Sequence, residues 1–137
     1  MLFDFSDGAQ GWVPGNWQSD PGTVSASDGT LTVLSNNAWF GAALPAPVDM
    51  STRTELTFDL VSTTGANPVL ALKEGPDGTW CQVSSGGSTD VAMVGEGAVT
   101  FDLTRLDTTC TAGLSDVREV LLFLQSGTQV IDNVTVR

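Results

Sequence analysis

The chain has 137 residues, and four tryptophans with no tyrosine supply most of its recognition chemistry. An indole offers a flat apolar face and one N–H donor. Set beside a primary amide, it suits a ligand with apolar C–H faces and a hydroxyl rim, which describes a sugar ring. Trp17 lies in Gly15-Asn16-Trp17-Gln18, at a loop edge with polar neighbours. On an extended strand, where side chains alternate faces, Trp80 shares a face with Gln82, while Cys81 and Val83 share the other. If Phe40, Ala42 and Leu44 face the core, Trp39 shares its face with Gly41 and Ala43, and a large ring beside two small residues leaves a shallow trough. Phe123 and Gln125 have the parity opposite to Val120, Leu122 and Leu124, and read as a floor for the same site. Trp12, between Gly11 and Val13, reads as core. The structural alternatives are Trp39 packed under a loop, and Trp80 in the core with Cys81 outward.

Other chemistries find little support. With no histidine, no Gly-x-Ser-x-Gly and no phosphate-binding glycine loop, the chain carries no catalytic motif. Glu55 and Asp59 fall on one strand face, and paired carboxylates can hydrolyse a glycoside, but acids at that spacing more often form a solvated sheet face. Sixteen acids against five bases give a net charge of −11. The bases are spread, so neither nucleic acid nor an acidic polymer is an expected partner; a neutral one fits better. Lys73, on the strand expected to pair with that of Trp80, could donate to a hydroxyl or simply be solvated. The two cysteines, Cys81 and Cys110, are compatible with one disulfide and an exported protein, or with two buried thiols in a reducing compartment. Two cysteines without histidine do not make a zinc site. No apolar run has membrane-spanning length, so no membrane partner is expected. Met1 to Phe5 is too short and acidic for a signal peptide, so the chain reads as a mature domain or an excised module.

These side chains need a scaffold of strands. One domain over residues 1–137 is expected from the length. No amphipathic helix stands out beyond short turns near Leu103–Leu106 and Leu114–Arg118. Strands are expected at Leu2–Ser6, Thr23–Ala26, Thr30–Ser35, Ala38–Leu44, Thr54–Val61, Pro68–Lys73, Thr79–Ser84, Ala98–Leu103, Glu119–Gln125 and Thr128–Arg137, with an interrupted segment at Gly11–Trp17. Asp28-Gly29 marks a hairpin, Pro45 and Pro47 are expected to stop the fourth strand, and Ser84–Ser88 reads as a loop. About ten short strands at this spacing indicate an all-β sandwich with first and last strands adjacent, as in a jelly roll. The run Val120 to Leu124 is apolar on both faces, which requires cover on both. In the last strand, strict alternation sets Val130, Asp132, Val134 and Val136 on the core face, where a bare carboxylate at Asp132 is costly and asks for a partner.

Taken in order, several of these motifs resemble the β-sandwich carbohydrate-binding modules of polysaccharide-degrading enzymes. They are Asp4-Phe5-Ser6-Asp7-Gly8 running into Gly11-Trp12; Trp39-Phe40-Gly41-Ala42; Val48-Asp49-Met50-Ser51 before Leu56-Thr57-Phe58-Asp59-Leu60; Asp77-Gly78-Thr79-Trp80; Phe101-Asp102-Leu103; and Val130-Ile131-Asp132-Asn133-Val134. The resemblance covers nearly the whole chain. It is strongest to the glucan-binding families 11 and 30, with looser similarity to families 4, 16 and 22. It implies a galactose-binding-domain-like jelly roll and a concave face that holds a polysaccharide. It also implies a structural calcium between first and last strands. Asp132 matches the family's last-strand carboxylate, Asp28 and Thr30 its hairpin donors, and Asp4 with Ser6 the N-terminal donors, although Ser6 stands where the family prefers glutamate.

The sequence therefore leads to an extracellular, monomeric, non-catalytic module. It would bind a neutral polysaccharide, β-1,4- or mixed-linked glucan first and xylan or xyloglucan next, through Trp17, Trp39, Trp80, Gln82, Phe123 and Gln125. A covalently linked catalytic domain, a glycoside hydrolase, would be its companion. The rival is an adhesion or structural sandwich without sugar binding. The two differ in one observable: a sugar module shows at least two accessible tryptophans on one sheet face, and a structural module buries all four.

Overall fold

The computed structural model describes residues 1–64, 68–83, 97–106, 110 and 113–137. Among these residues ten strands form two five-stranded antiparallel sheets packed face to face. In chain order they are β1 (Val13–Pro14), β2 (Gly22–Ser27), β3 (Thr30–Ser35), β4 (Ala38–Val48), β5 (Glu55–Thr63), β6 (Val69–Glu74), β7 (Thr79–Gln82), β8 (Gly97–Asp102), β9 (Val117–Leu124) and β10 (Gly127–Val136). Sheet one runs β1-β4-β9-β6-β7 and sheet two β2-β3-β10-β5-β8. From β3 onward the strands alternate between the two sheets in the jelly-roll manner expected, except that β6 and β7 form a hairpin within sheet one.

The core is what alternation demands. Leu56, Phe58 and Leu60 of β5, Leu70 and Leu72 of β6 and Val120, Leu122 and Leu124 of β9 all point inward and are buried. Trp12 is 1% exposed and meets Phe3 and Phe5 edge-on, so its core assignment holds. Asp28 and Gly29, with φ of 53° and 76°, supply the left-handed residues of the tight β2–β3 hairpin. The Cys81 and Cys110 sulfurs are bonded. Cys81 lies inward on β7, so the alternative with Trp80 in the core falls away.

Several expectations change. The N-terminal strand shrinks to a bridge between Phe3 and Val134, because Asp4 turns the chain by accepting from Ser6 N–H and Oγ. The two termini are adjacent nonetheless. β4 continues through Pro45 and Pro47 to Val48. Its register against β9 shifts between Ala43 and Val48, and both prolines are exposed, so no ladder N–H is missed there. The expected turns near Leu103–Leu106 and Leu114–Arg118 form no helix, and Val117 and Arg118 instead begin β9. The Ser84–Ser88 loop lies outside the described residues.

The largest change concerns Asp132. Strict alternation fails in β10, because its register against β5 shifts between Val130 and Ile131 and again between Asp132 and Thr135, where Asn133 has φ 50°. A bulge inserts a residue and reverses parity beyond it. Gln129 and Ile131 therefore face the core before the bulge and Val134 after it, while Val130 and Asp132 are only half-buried. Asp132 is thus off the core, accepting from the Asn133 N–H at 2.8 Å, and the postulated buried carboxylate does not exist.

Candidate functional site

The side of sheet one that faces away from the core carries the aromatic cluster. Strand register lays three rows across it. Trp39 pairs with Phe123 and Phe123 with Val69. Val13, Gly41, Leu121, Ala71 and Gln82 form the second row, and Ala43, Glu119, Lys73 and Trp80 the third. This answers why β9 is apolar on both faces. Leu121 is 3% exposed although it points away from the core, because the outer face has aromatic cover of its own.

Trp80 is the hub. Its ring centroid lies 4.8 Å from that of Trp39 and 6.1 Å from that of Trp17, both edge-on. Trp39 in turn meets Phe123 at 5.5 Å. Edge-to-face contacts of this kind fix ring positions while leaving other faces open. The Trp80 Nε1 donates to Gln82 Oε1 at 3.4 Å, orienting both side chains. Trp39, Trp80, Gln82 and Phe123 are half-buried, and Trp17 is 54% exposed.

Trp17 comes from the β1–β2 loop, and two features hold it. Its ring folds back over Gly15, where a Cβ would stand 2.5 Å from ring carbons, so a side chain there would displace the ring. Gln18 then stitches the loop to β4. Its Nε2 donates to the Trp39 carbonyl at 2.9 Å and to the Gly15 carbonyl at 3.1 Å, while its Oε1 accepts from the Trp39 N–H at 2.6 Å. One side chain thus fixes two of the three accessible tryptophans.

A charged pair sits among the rings. The Lys73 Nζ lies 2.9 Å from Glu119 Oε2 and 5.3 Å from the centroid of Trp17. Lys73 is thus the partner of Glu119 Oε2, an oxygen otherwise shielded from solvent. Two hollows adjoin the pair. One, of about 370 Å³, is open and lined by Trp17, Trp39, Trp80 and Lys73. The other, of about 210 Å³, lies between Val13 to Trp17, Gly41, Leu121, Lys73 and Glu119.

Of the residues expected to line the site, Trp17, Trp39, Trp80, Gln82 and Phe123 share this face. Gln125 does not join them: it lies beyond the end of β9, exposed, with its carbonyl accepting from Gln129 Nε2. Gln18 and Glu119 were missed. The parity that places Phe123 and Leu121 outward places Glu119 outward too, so its signal was present. Nothing local in the sequence announces Gln18, whose partner is 21 residues away.

The residues expected to hold calcium lie around sheet two. Thr30 follows the β2–β3 hairpin, and β10 runs between β3 and β5 with Asp132 opposite Asp59. Asn133 Nδ2 donates to Asp59 Oδ2 at 2.8 Å. Asp4 Oδ1 already accepts from Ser6 N–H, Ser6 Oγ and Gln10 Nε2. Thr30 Oγ1 donates to the Ser27 carbonyl. Calcium asks for 6–8 converging oxygens. Among the described residues no group of three or more acids is arranged to hold a metal, so in this arrangement the donors fit such an ion only in part.

No protein-family model matches the chain, and no curated protein does. Solved structures do match in fold. A family 28 carbohydrate-binding module specific for non-crystalline cellulose superposes with a TM-score of 0.64 at 18% identity, over 100% of this chain and 93% of that one. A family 11 module from Clostridium thermocellum, in complex with a β-1,3-1,4-mixed-linked tetrasaccharide, gives 0.62 at 18% identity, over 99% and 93%. An exo-β-agarase gives 0.62 at 17% identity, over 100% of this chain but 25% of that one. At such identities the likeness is one of fold: the chain has the β-sandwich of carbohydrate-binding modules, family 11 among them.

Proposed function

We propose that this chain is a non-catalytic carbohydrate-binding module that takes a neutral polysaccharide chain across the outer face of sheet one. The observation that carries the reading is the gathering of Trp17, Trp39 and Trp80, all accessible, on the sheet face that does not serve the core. Those rings supply apolar platforms, and Gln82, Lys73 and Glu119 supply hydroxyl partners at their edges. A β-1,4- or mixed-linked glucan is the first choice, because its equatorial linkages leave both ring faces flat for stacking; xylan or xyloglucan comes next. Among the residues lining the two hollows, Glu119 is the one carboxylate, and Lys73 neutralises it. Glu55 and Asp59, the pair weighed for hydrolysis, belong to sheet two. Both points favour binding over chemistry.

The biological setting is part of the same proposal. The disulfide supports an exported protein, and a monomer suffices for the site. Attachment to a glycoside hydrolase would raise the local concentration of substrate for that enzyme. A structural calcium near Asp132 and Asp4 is a separate proposal; a rise in melting temperature with calcium, reversed by chelator, supports it, and no shift dismisses it.

The test is titration calorimetry with soluble glucans, xylan, xyloglucan and mannan, alongside tryptophan fluorescence. Saturable binding of a glucan with a fluorescence shift is expected. Silence across the panel from a folded sample would sink the reading in favour of an adhesion or structural module.

A further inference from the structure

Three residues at the centre of the outer face of sheet one are buried as deeply as the core. Gly41, Leu121 and Ala71 stand side by side on β4, β9 and β6. Alternation turns them away from the other sheet, yet Leu121 is 3% exposed, Ala71 is 0% exposed and Gly41 is buried. Among the described residues no strand lies over them. Their cover is a set of side chains rooted at the margins of the sheet.

Trp39 stands on β4 and Trp80 on β7, with β9 and β6 between them. Three strand spacings come to about 14 Å. The two ring centroids are nevertheless 4.8 Å apart. Both side chains therefore lean inward over β9 and β6 and meet above the middle of the face. Trp17 reaches the same place from the loop after β1 and joins Trp80 at 6.1 Å. The rings form an arch, and Leu121 and Ala71 lie beneath it.

The arch suits the free protein better than a complex. A sugar stacks on the face of an indole, and a chain that uses two indoles needs both faces turned toward it. Trp80 stands at 85° to Trp39 and 88° to Trp17, so it shares a plane with neither. In each edge-to-face pair one ring's face is spent on the other's edge. The arch also hangs from parts that can give. Trp17 belongs to a loop and Trp80 to a four-residue strand at the edge of the sheet. None of the three rings belongs to the core between the sheets, so they can part without disturbing it.

We propose that the arch is the closed form of the site, and that a polysaccharide chain binds by parting Trp39 from Trp80 and lying on Leu121 and Ala71 between them. This rests on the binding reading given above and adds the state of the site before ligand arrives. Closure keeps an apolar floor out of water while the site is empty. It also lowers the apparent affinity, because only the open fraction binds.

Paired indoles couple their electronic transitions and give a two-signed band in far-ultraviolet circular dichroism. The free wild-type protein should show that band. Trp80→Phe should abolish it and Trp39→Phe should weaken it; if one variant fails to fold, the other carries the assignment. Trp12 packs against Phe3 and Phe5 and adds nothing to the band. A soluble mixed-linked β-glucan, added to saturation as followed by calorimetry, should remove most of the band from the wild type. In the same complex, nuclear Overhauser effects should join glucan ring protons to the methyl groups of Leu121 and Ala71. A band unchanged at saturation overturns the inference and leaves the proposed function standing. So do Overhauser effects confined to the indoles, or a free-protein band that the folded variants leave intact. Absence of binding to every glycan of the panel overturns the proposed function, and this inference with it.

Discussion

The two outer faces of this sandwich are built by the same rule and have opposite characters. Each belongs to a five-stranded antiparallel sheet, and each shows the residues alternation turns away from the core. Sheet two displays mostly small polar side chains, Ser25, Thr32, Thr57, Thr100 and Asp59, with Leu34 and Val61 as single aliphatic residues among them and, among the described residues, no aromatic ring. Sheet one displays Trp39, Trp80, Phe123, Leu121 and one ion pair. Neither face is needed to close the core. Apolar aromatic surface left facing water by a soluble fold is therefore read as surface kept for a partner. The difference teaches that β-sandwich geometry is silent on function, and that function lies in which face departs from the polar default.

The largest expected effect tests whether the aromatic face depends on its edge. β7 has four residues, lies at the edge of sheet one among the described strands, and carries Trp80 outward and Cys81 inward. The disulfide spans 29 residues and should contribute about 3.5 kcal/mol by loop-closure entropy. Replacing both cysteines, Cys81→Ser with Cys110→Ser, should lower the melting temperature markedly. Glycan affinity should fall as well, because Trp80 sits on the freed strand. Unchanged affinity in the folded variant would show that the cluster holds itself together without the bond.

A second experiment sets the faces against each other directly. Trp80→Ala should cost about 2 kcal/mol of binding free energy, roughly thirtyfold in affinity, by removing the hub on which Trp17 and Trp39 lean. Thr32→Ala on the opposite sheet should change affinity by less than the error of calorimetry. Equal losses from both would place the ligand elsewhere and remove the contrast.

How much of this was legible follows from the range of the interactions. Strand alternation is a local signal, so Trp39, Trp80, Gln82 and Phe123 could be assigned to one face, and Leu56, Phe58 and Leu60 to the other, from neighbouring residues alone. Asp132 went wrong for the converse reason. Its side is decided by a bulge at Asn133, and Asn133-Val134-Thr135 contains no glycine or proline to mark one. The prolines of β4 misled in the opposite sense: they signal a stop, but at a register shift a strand passes through them. Gln125 failed because alternation was extended one residue past the strand's end. Gln18 could not be found at all, since its three partners are backbone atoms on another strand and an adjoining turn.

Gln18 gives the third test. Gln18→Ala removes three hydrogen bonds, two donated and one accepted, from partly buried backbone at Trp39 and Gly15, a loss of about 1–3 kcal/mol in stability. The larger consequence should be functional, because the loop that presents Trp17 loses its tie to β4. Affinity should fall several-fold in calorimetry while near-ultraviolet circular dichroism of the core Trp12 persists. A variant that is less stable yet binds as before would show that the ring's seat on Gly15 suffices to place Trp17.

The smallest effect belongs to the polar turns, away from the aromatic face. Asp4, Asp49 and Asp102 each accept from the backbone N–H and the hydroxyl of the residue two positions on, Ser6, Ser51 and Thr104. The Ser6 N–H, then its hydroxyl and the Gln10 amide, hold the Asp4 carboxyl below the usual 3.8. The Ser51 and Thr104 hydroxyls, each followed by its own N–H, do the same for Asp49 and Asp102. A carboxylate favoured in the folded state stabilises it above the unfolded pKa, and that help is lost as pH falls through the lowered folded value. The melting temperature should therefore be flat in these turns' contribution above about pH 5 and decline below about pH 3.8. All three carboxylates are exposed, so the decline should be shallow and screened by salt. None of them lines the aromatic hollows, so the affinity of the fraction still folded should not follow that decline. An affinity that drops in step with protonation of these turns, in protein that remains folded, would tie the polar loops to the aromatic face and dissolve the separation between the two.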